Sequence, residues 1–218
     1  MKRTFRAIAA AIGFVALGLQ WWLEVGIPKG PGLIGSTVNF FSYFTIFANT
    51  VAAFAMLMPL IAADSWAGRF LARPSVRTAV ASYMIVVGVT YFLFLRHIGD
   101  DQDWERVADQ LMHYATPALF MIDWLAFVPK GNVPWTMIGT SLVAPILYGI
   151  WTTVLGALTN WYPYPFFNAS KLGHQKTSVN MAIFVGVLIG VALTLVVIDR
   201  IIGSLQRRAV SDADHGAG

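Results

Sequence analysis

Cysteine and charge are what this sequence has least of. Its 218 residues include no cysteine, which excludes disulfides, thiolate metal sites and a cysteine nucleophile. Only 12% of the residues are charged, about half of the roughly 25% found in soluble domains. The hydrophobic fraction is 57%, against about 45–50% in soluble domains. These proportions argue against a water-soluble domain and against a disordered chain.

Six apolar runs account for most of the hydrophobic residues. They cover residues 5–25, 38–62, 78–95, 107–128, 135–158 and 177–202. Each is long enough to cross a hydrocarbon core of about 30 Å as a helix. None alternates apolar and polar residues as the strands of a membrane barrel do. We therefore predict an all-α integral membrane protein: a six-transmembrane-helix bundle over residues 1–208 and a disordered polar tail over 209–218.

The distribution of Lys and Arg predicts the orientation of this bundle. With the N-terminus inside, ten basic residues lie on the inner side and five on the outer side. Basic residues favour the cytoplasmic side, so we predict that both termini are cytoplasmic in a multi-pass protein of the cell membrane, a bacterial inner membrane. The first run is too long for a signal-peptide core, and we interpret it as a retained helix.

Polar residues within the second run form the first candidate cluster. Ser42, Thr45 and Asn49 are spaced by three and then four residues, which places them on one face of a continuous helix. Such residues can simply bond neighbouring helices together. They can also belong to a site, because polar groups inside a membrane are often functional.

The fourth run contains the second candidate cluster. His113 is the natural general base near neutral pH, and Asp109 precedes it by one helical turn. Asp109 either orients the imidazole or only complements a helix N-terminus. Thr45 and His113 each lie roughly 10 Å inward from the outer ends of their runs, so a hydroxyl and an imidazole at matched depth can form a nucleophile and base.

An aromatic loop between the fifth and sixth runs is the third candidate. Residues 160–167 read NWYPYPFF, including Trp161 and Tyr162. This loop is either an interfacial aromatic belt or a lid over an outward-facing pocket. Asn180, early in the sixth run, has a suitable depth to face such a pocket.

These motifs, in this order, resemble a known family. Phe44 and Thr45, Met112 and His113, and residues 161–166 stand as in the androgen-induced membrane proteins, which include the androgen-dependent regulators of tissue-factor pathway inhibitor. Residues 41–45, Asp123 with Trp124 and residues 127–131 resemble its bacterial branch in particular. The resemblance implies an intramembrane threonine hydrolase of fatty-acid esters, with the nucleophile at Thr45 and the histidine at His113.

The expected function is therefore hydrolysis of lipid or fatty-acid esters near the outer leaflet. Thr45 and His113 are the candidate catalytic residues, and the candidate substrate-binding residues are Ser42, Asn49, Asp109, Trp161, Tyr162 and Asn180. An oxyanion donor is also needed, and Asn49 and Asn180 are the candidates. The expected partner is a membrane lipid or acyl ester, with no metal, other cofactor or nucleic acid. Two alternatives remain: a non-catalytic lipid-binding or transport protein, and a membrane scaffold in which Thr45 and His113 only join helices.

Overall fold

Helices make up nearly the whole of the described protein. The computed structural model describes residues 1–27, 31–96 and 103–216. Within these ranges the chain is 87% helical and contains no strand. The all-α prediction is thus confirmed, and its physical basis is that a helix pairs its backbone groups within one segment.

Eleven α-helices follow one another along the described chain. They are α1 (Lys2–Trp21), α2 (Gly32–Phe41), α3 (Phe44–Ile61), α4 (Trp66–Ala72), α5 (Pro74–Thr90), α6 (Asp103–Gln110), α7 (Thr116–Phe127), α8 (Thr136–Ser141), α9 (Val143–Thr159), α10 (Ala169–Leu172) and α11 (His174–Gly216). Three wide π-helical turns extend α1, α5 and α6: Trp22–Gly26, Tyr91–Leu95 and Leu111–Ala115.

Five segments of the described chain are long and apolar enough to cross a membrane. They are Lys2–Gly26, Phe44–Ile61, Pro74–Leu95, Thr136–Thr159 and His174–Ala209. The run predicted at 107–128 forms continuous helical structure from residue 103 to 127 but is not among these five. Its polar residues, including His113 and Asp123, lower the mean hydropathy of this segment.

The second predicted run is not a single helix. The chain breaks between α2 and α3, where Tyr43 has extended backbone angles (φ −84°, ψ 132°). The Ser42 hydroxyl donates to the carbonyl of Val38, a local bond that competes with helix continuation. The expectation that Ser42, Thr45 and Asn49 share one helical face is therefore wrong for Ser42. Thr45 lies in the first turn of α3 rather than seven residues inside a helix.

Small side chains bring α1 and α3 close together. Ala9, Ala10 and Gly13 on α1 meet an alanine-rich face of α3, and a Cβ added at Gly13 would lie 3.2 Å from the Cβ of Ala53. In lipid the hydrophobic effect does not drive helices together, so they associate through close packing of small side chains of this kind. The α1–α3 contact fixes the position of the helix that carries Thr45.

The last helix continues beyond the membrane-length segment. Its backbone is helical as far as Gly216, within the tail that the sequence analysis expected to be disordered. Extending an existing helix needs no new nucleation, so polar residues after Arg208 can continue it. Residues 217 and 218 of that tail lie outside the described part of the chain.

A buried ionic cluster joins the helices at the end of the bundle opposite to Thr45. Asp123 on α7 is fully buried and accepts hydrogen bonds from Arg6 on α1 (2.6 and 3.1 Å) and from Arg77 on α5. Arg77 also donates to the carbonyl of Ala55 on α3, at 2.7 Å. One carboxylate and its two cations thereby connect four helices.

Removal of the Asp123 carboxylate should destabilise the protein strongly. In Asp123→Ala, both guanidinium groups stay buried without their counter-charge, and we expect a loss of about 3–5 kcal/mol. The measurement is thermal or denaturant unfolding in detergent. The exposed Asp64→Ala serves as control, with an expected change within about 0.5 kcal/mol. Equal effects of the two substitutions would contradict the structural role of the cluster.

Candidate active site

The structure brings Thr45 and His113 into contact. The Thr45 Oγ1 atom lies 3.4 Å from Nε2 of His113, and the two residues are 8% and 9% exposed. This distance is slightly longer than that of an ordinary hydrogen bond, about 2.7–3.2 Å. Catalytic hydrogen bonds are commonly long before substrate binds and shorten in the complex. The pair is therefore placed for proton transfer from hydroxyl to imidazole.

The hydrogen bond of the second imidazole nitrogen, Nδ1, shows which ring nitrogen carries the proton. Nδ1 of His113 lies 3.0 Å from the backbone carbonyl oxygen of Asp109. A carbonyl can only accept, so we assign the proton to Nδ1, which leaves the Nε2 lone pair directed at Thr45. One carboxylate oxygen of Asp109 lies 3.4 Å from Nδ1 and stabilises positive charge on the ring.

Tyr91 holds both His113 and Asp109. Its ring stacks on the imidazole with the centroids 4.0 Å apart and the planes 14° from parallel. Its hydroxyl donates to the Asp109 carboxylate at 3.0 Å. The orientation of the imidazole is thus fixed by one stacking contact and two groups of Asp109, as a general base requires.

Tyr164 is a site residue that the sequence analysis missed. Its hydroxyl accepts from the backbone N–H of Thr45 at 3.2 Å and lies 3.2 Å from Thr45 Oγ1. Burial raises the pKa of the Tyr164 phenol, so the group stays protonated and remains a donor. Pro163 and Pro165 flank it and restrict its backbone, which is the one sequence signal that distinguishes it from the other loop aromatics.

Asn49 fixes the two halves of the site to each other. Its amide donates to the carbonyls of Thr45 (2.9 Å) and Met112 (3.2 Å), and its carbonyl accepts from the Thr116 hydroxyl. Met112 belongs to the wide turn that carries His113. Asn49 therefore positions α3 against that turn. Its amide nitrogen already donates to two carbonyl oxygens, so the structure gives no support to the expected oxyanion donor at Asn49.

A partly open cavity of about 260 Å³ lies over the Thr45–His113 pair. All three π-helical turns contribute to its wall, and such turns occur frequently at functional sites because they redirect side chains. The lining residues are Gln20, Glu24, Phe40, Tyr43, Thr45, Ile46, Tyr91, Leu95, Asp109, Met112, His113, Pro163, Tyr164 and Pro165. The cavity combines an apolar body with polar groups near Thr45, as ligand sites generally do.

Three of the predicted substrate-binding residues support the wall rather than line the cavity. Ser42 accepts a hydrogen bond from the Trp151 indole at 2.9 Å, which attaches α9 to the break before α3. Trp161 packs edge-on against Tyr43, and Asn180 donates to the carbonyl of Phe166 at 2.8 Å. All three lie outside the cavity lining, and their contacts hold the aromatic loop and α9 in place.

Tyr162 also points away from the cavity. A Cβ added at Gly156 on α9 would lie only 2.0 Å from its ring, so Tyr162 occupies the space that this glycine leaves. Pro163, Tyr164 and Pro165 face the cavity in its place. The loop therefore reaches the cavity through Pro163, Tyr164 and Pro165 and not through the predicted Trp161 and Tyr162.

Substitution of Asn49 should lower the stability of the protein, because it breaks hydrogen bonds at the candidate site. Asn49→Ala leaves two buried carbonyls and a hydroxyl without this partner, with an expected loss of about 1–3 kcal/mol. Asn49→Asp should be at least as destabilising, because its carboxylate faces the same two carbonyl oxygens. Thermal unfolding in detergent measures both, with the partly exposed Asn39→Ala as control. A fully stable Asn49→Asp variant would contradict the assigned hydrogen bonds.

Comparison of the chain with family models, with curated proteins and with solved structures finds no significant match. The assignment of a function therefore rests on the geometry of the site, together with the motifs described from the sequence.

Proposed function

We propose that this protein is an intramembrane hydrolase of lipid or fatty-acid esters, with Thr45 as nucleophile and His113 as general base. The observation that carries the proposal is the 3.4 Å approach of Thr45 Oγ1 to His113 Nε2, with Nδ1 held by Asp109, beneath a cavity. A threonine hydroxyl is a weak nucleophile until an adjacent base removes its proton. The same two positions are the catalytic ones that the family resemblance implies.

The first chemical step forms a bond between Thr45 and the acyl carbon. His113 Nε2 takes the Thr45 proton while Oγ1 attacks the ester carbonyl. The negative charge that develops on the carbonyl oxygen needs a hydrogen-bond donor. The Tyr164 hydroxyl is a neutral, buried donor 3.2 Å from Oγ1. It is therefore within reach of the carbonyl oxygen, which is bound to the carbon that Oγ1 attacks.

The second part of the reaction releases both products. The carbon–oxygen bond to the alcohol breaks, and His113 returns its proton to the leaving oxygen, as in other nucleophile–histidine hydrolases. Water then attacks the acyl-threonine, again with His113 as base. The acid leaves, and the Thr45 hydroxyl is restored.

The proposal places the site towards the outer face of a six-span bundle with cytoplasmic termini. Five apolar segments are long enough to cross, and the continuous helical segment from residue 103 to 127 supplies the sixth crossing. Its two most polar buried side chains have partners inside the bundle: His113 contacts Thr45 and Asp123 contacts two arginines. Charged residues in membrane helices are accommodated in this way.

Loss of either candidate catalytic side chain should strongly reduce turnover. In Thr45→Ala we expect ester hydrolysis to fall on the order of 10⁴-fold or more. His113→Ala should lower it by about 10²–10⁴-fold. Labelling by a fluorophosphonate probe should disappear in Thr45→Ala. Thr50→Ala, five residues further along α3, is the matched control and should retain both hydrolysis and probe labelling.

Strong probe labelling of Thr45→Ala would exclude Thr45 as the nucleophile. Absence of turnover in the wild type, with co-purified lipid lost on His113→Ala, would instead favour a lipid-binding protein. A scaffold would show no turnover and reduced stability for both alanine variants.

Single-cysteine labelling tests the topology, because the wild type contains no cysteine. The exposed positions Thr4, Lys171 and Arg208 are suitable sites. A membrane-impermeant maleimide should label Lys171→Cys in intact cells, whereas Thr4→Cys and Arg208→Cys should react only after permeabilisation. Labelling of Thr4→Cys and Arg208→Cys from opposite sides would exclude an even number of crossings.

A further inference from the structure

A second, much smaller cavity adjoins Thr45. Its volume is about 20 Å³, against about 260 Å³ for the larger cavity. The wall common to the two consists of Thr45, Leu95 and Tyr164. The remaining lining of the small cavity is apolar apart from Thr90: Phe44, Val86, Val87, Phe166 and Phe184. The nucleophile therefore stands between a large amphipathic space and a small apolar one.

The position of His113 determines which part of an ester enters which space. His113 lines the large cavity and is absent from the lining of the small one. The imidazole must reach the oxygen of the leaving alcohol to return its proton. The alcohol part of the ester therefore occupies the large cavity. The acyl part, on the other side of the attacked carbon, extends into the small cavity.

The small cavity limits the length of that acyl part. A volume of about 20 Å³ holds roughly one water-sized group. Its walls are firm, because Val86 and Val87 are buried among core residues of α5, and close-packed cores resist insertion of further methylenes. A group of the size of an acetyl methyl fits this space, whereas a fatty acyl chain has to displace its walls or leave through its open side.

We propose that the substrate is a lipid-soluble alcohol esterified with a short acyl group, an acetate-like ester. This inference rests on the proposed ester hydrolysis. The transferred group is then a short acyl: its carbon bonds to Thr45 Oγ1 as the bond to the alcohol oxygen breaks. The threonine proton passes through His113 to the alcohol, and water completes the release of a short carboxylic acid.

Phe184 forms the end wall that sets this limit. It lines the small cavity and also a third cavity, an apolar groove of about 380 Å³ between α9 and α11. Its ring packs edge-on against Phe44 (5.3 Å) and Phe167 (5.6 Å), which holds it between the two spaces. Removal of the ring would join the small cavity to the groove and leave room for a longer chain.

The test compares esters of one alcohol, 4-methylumbelliferone, with acetate, butanoate and octanoate as the acyl groups. We expect wild-type kcat/KM for the acetate to exceed that for the octanoate by about tenfold or more, since discrimination by pocket size is of this order. Phe184→Ala should raise the octanoate-to-acetate ratio by about tenfold. Val185→Ala, which changes the groove but not the small cavity, is the matched control and should leave the ratio unchanged.

Because each ratio is measured within one preparation, it does not depend on the fraction of protein that folds. If Phe184→Ala cannot be purified, Val87→Ala widens the small cavity from α5 and should raise the butanoate-to-acetate ratio. Thr45-dependent hydrolysis that favours octanoate in the wild type, or ratios unchanged in the cavity variants, would overturn the short-acyl inference alone. The absence of any Thr45-dependent hydrolysis would overturn the proposed function and this inference with it.

Discussion

The hydrogen bonds of Asn49 are the interaction on which the candidate site depends. They hold the first turn of α3, which carries Thr45, against the π-helical turn that carries His113. Within a bilayer, irregular backbone is tolerated only where protein groups satisfy it. Asn49 and Thr116 supply such groups to the carbonyl of Met112. The same bonds that permit the wide turn therefore also determine the distance between hydroxyl and imidazole.

The two ends of the bundle use polar groups differently. At one end, Asp123 is fully satisfied by Arg6 and Arg77, which gives a closed ionic cluster that stabilises the packing of α1, α5 and α7. At the other end, Thr45 and His113 adjoin a cavity and have room for a ligand. Burial alone does not distinguish the ionic cluster from the candidate site, because all five of these polar residues are buried. The difference is that the charged groups of the cluster bond each other, whereas the Thr45–His113 pair adjoins a cavity.

Much of the fold could be predicted from apolar runs, since length and hydropathy alone favour membrane-length helices. The break at Ser42 and Tyr43 could not, because both residues lie inside a run long and apolar enough to be one helix. The break is stabilised from outside: the Trp151 indole donates to Ser42, and Trp161 packs on Tyr43. The aromatic loop could be assigned to the site as a segment. Which of its aromatic side chains faces Thr45 depends on the space that Gly156 leaves for Tyr162.

The sequence by itself determined the helical class, the positions of the apolar segments, and the few hydroxyl, imidazole and carboxyl groups within them. Only the tertiary structure decided that Thr45 meets His113 and Tyr164, which stand 68 and 119 positions away along the chain. Local periodicity specifies which face of a helix is apolar. It does not specify which neighbour that face meets, because small residues, aromatic contacts and buried hydrogen bonds between distant segments select the neighbour.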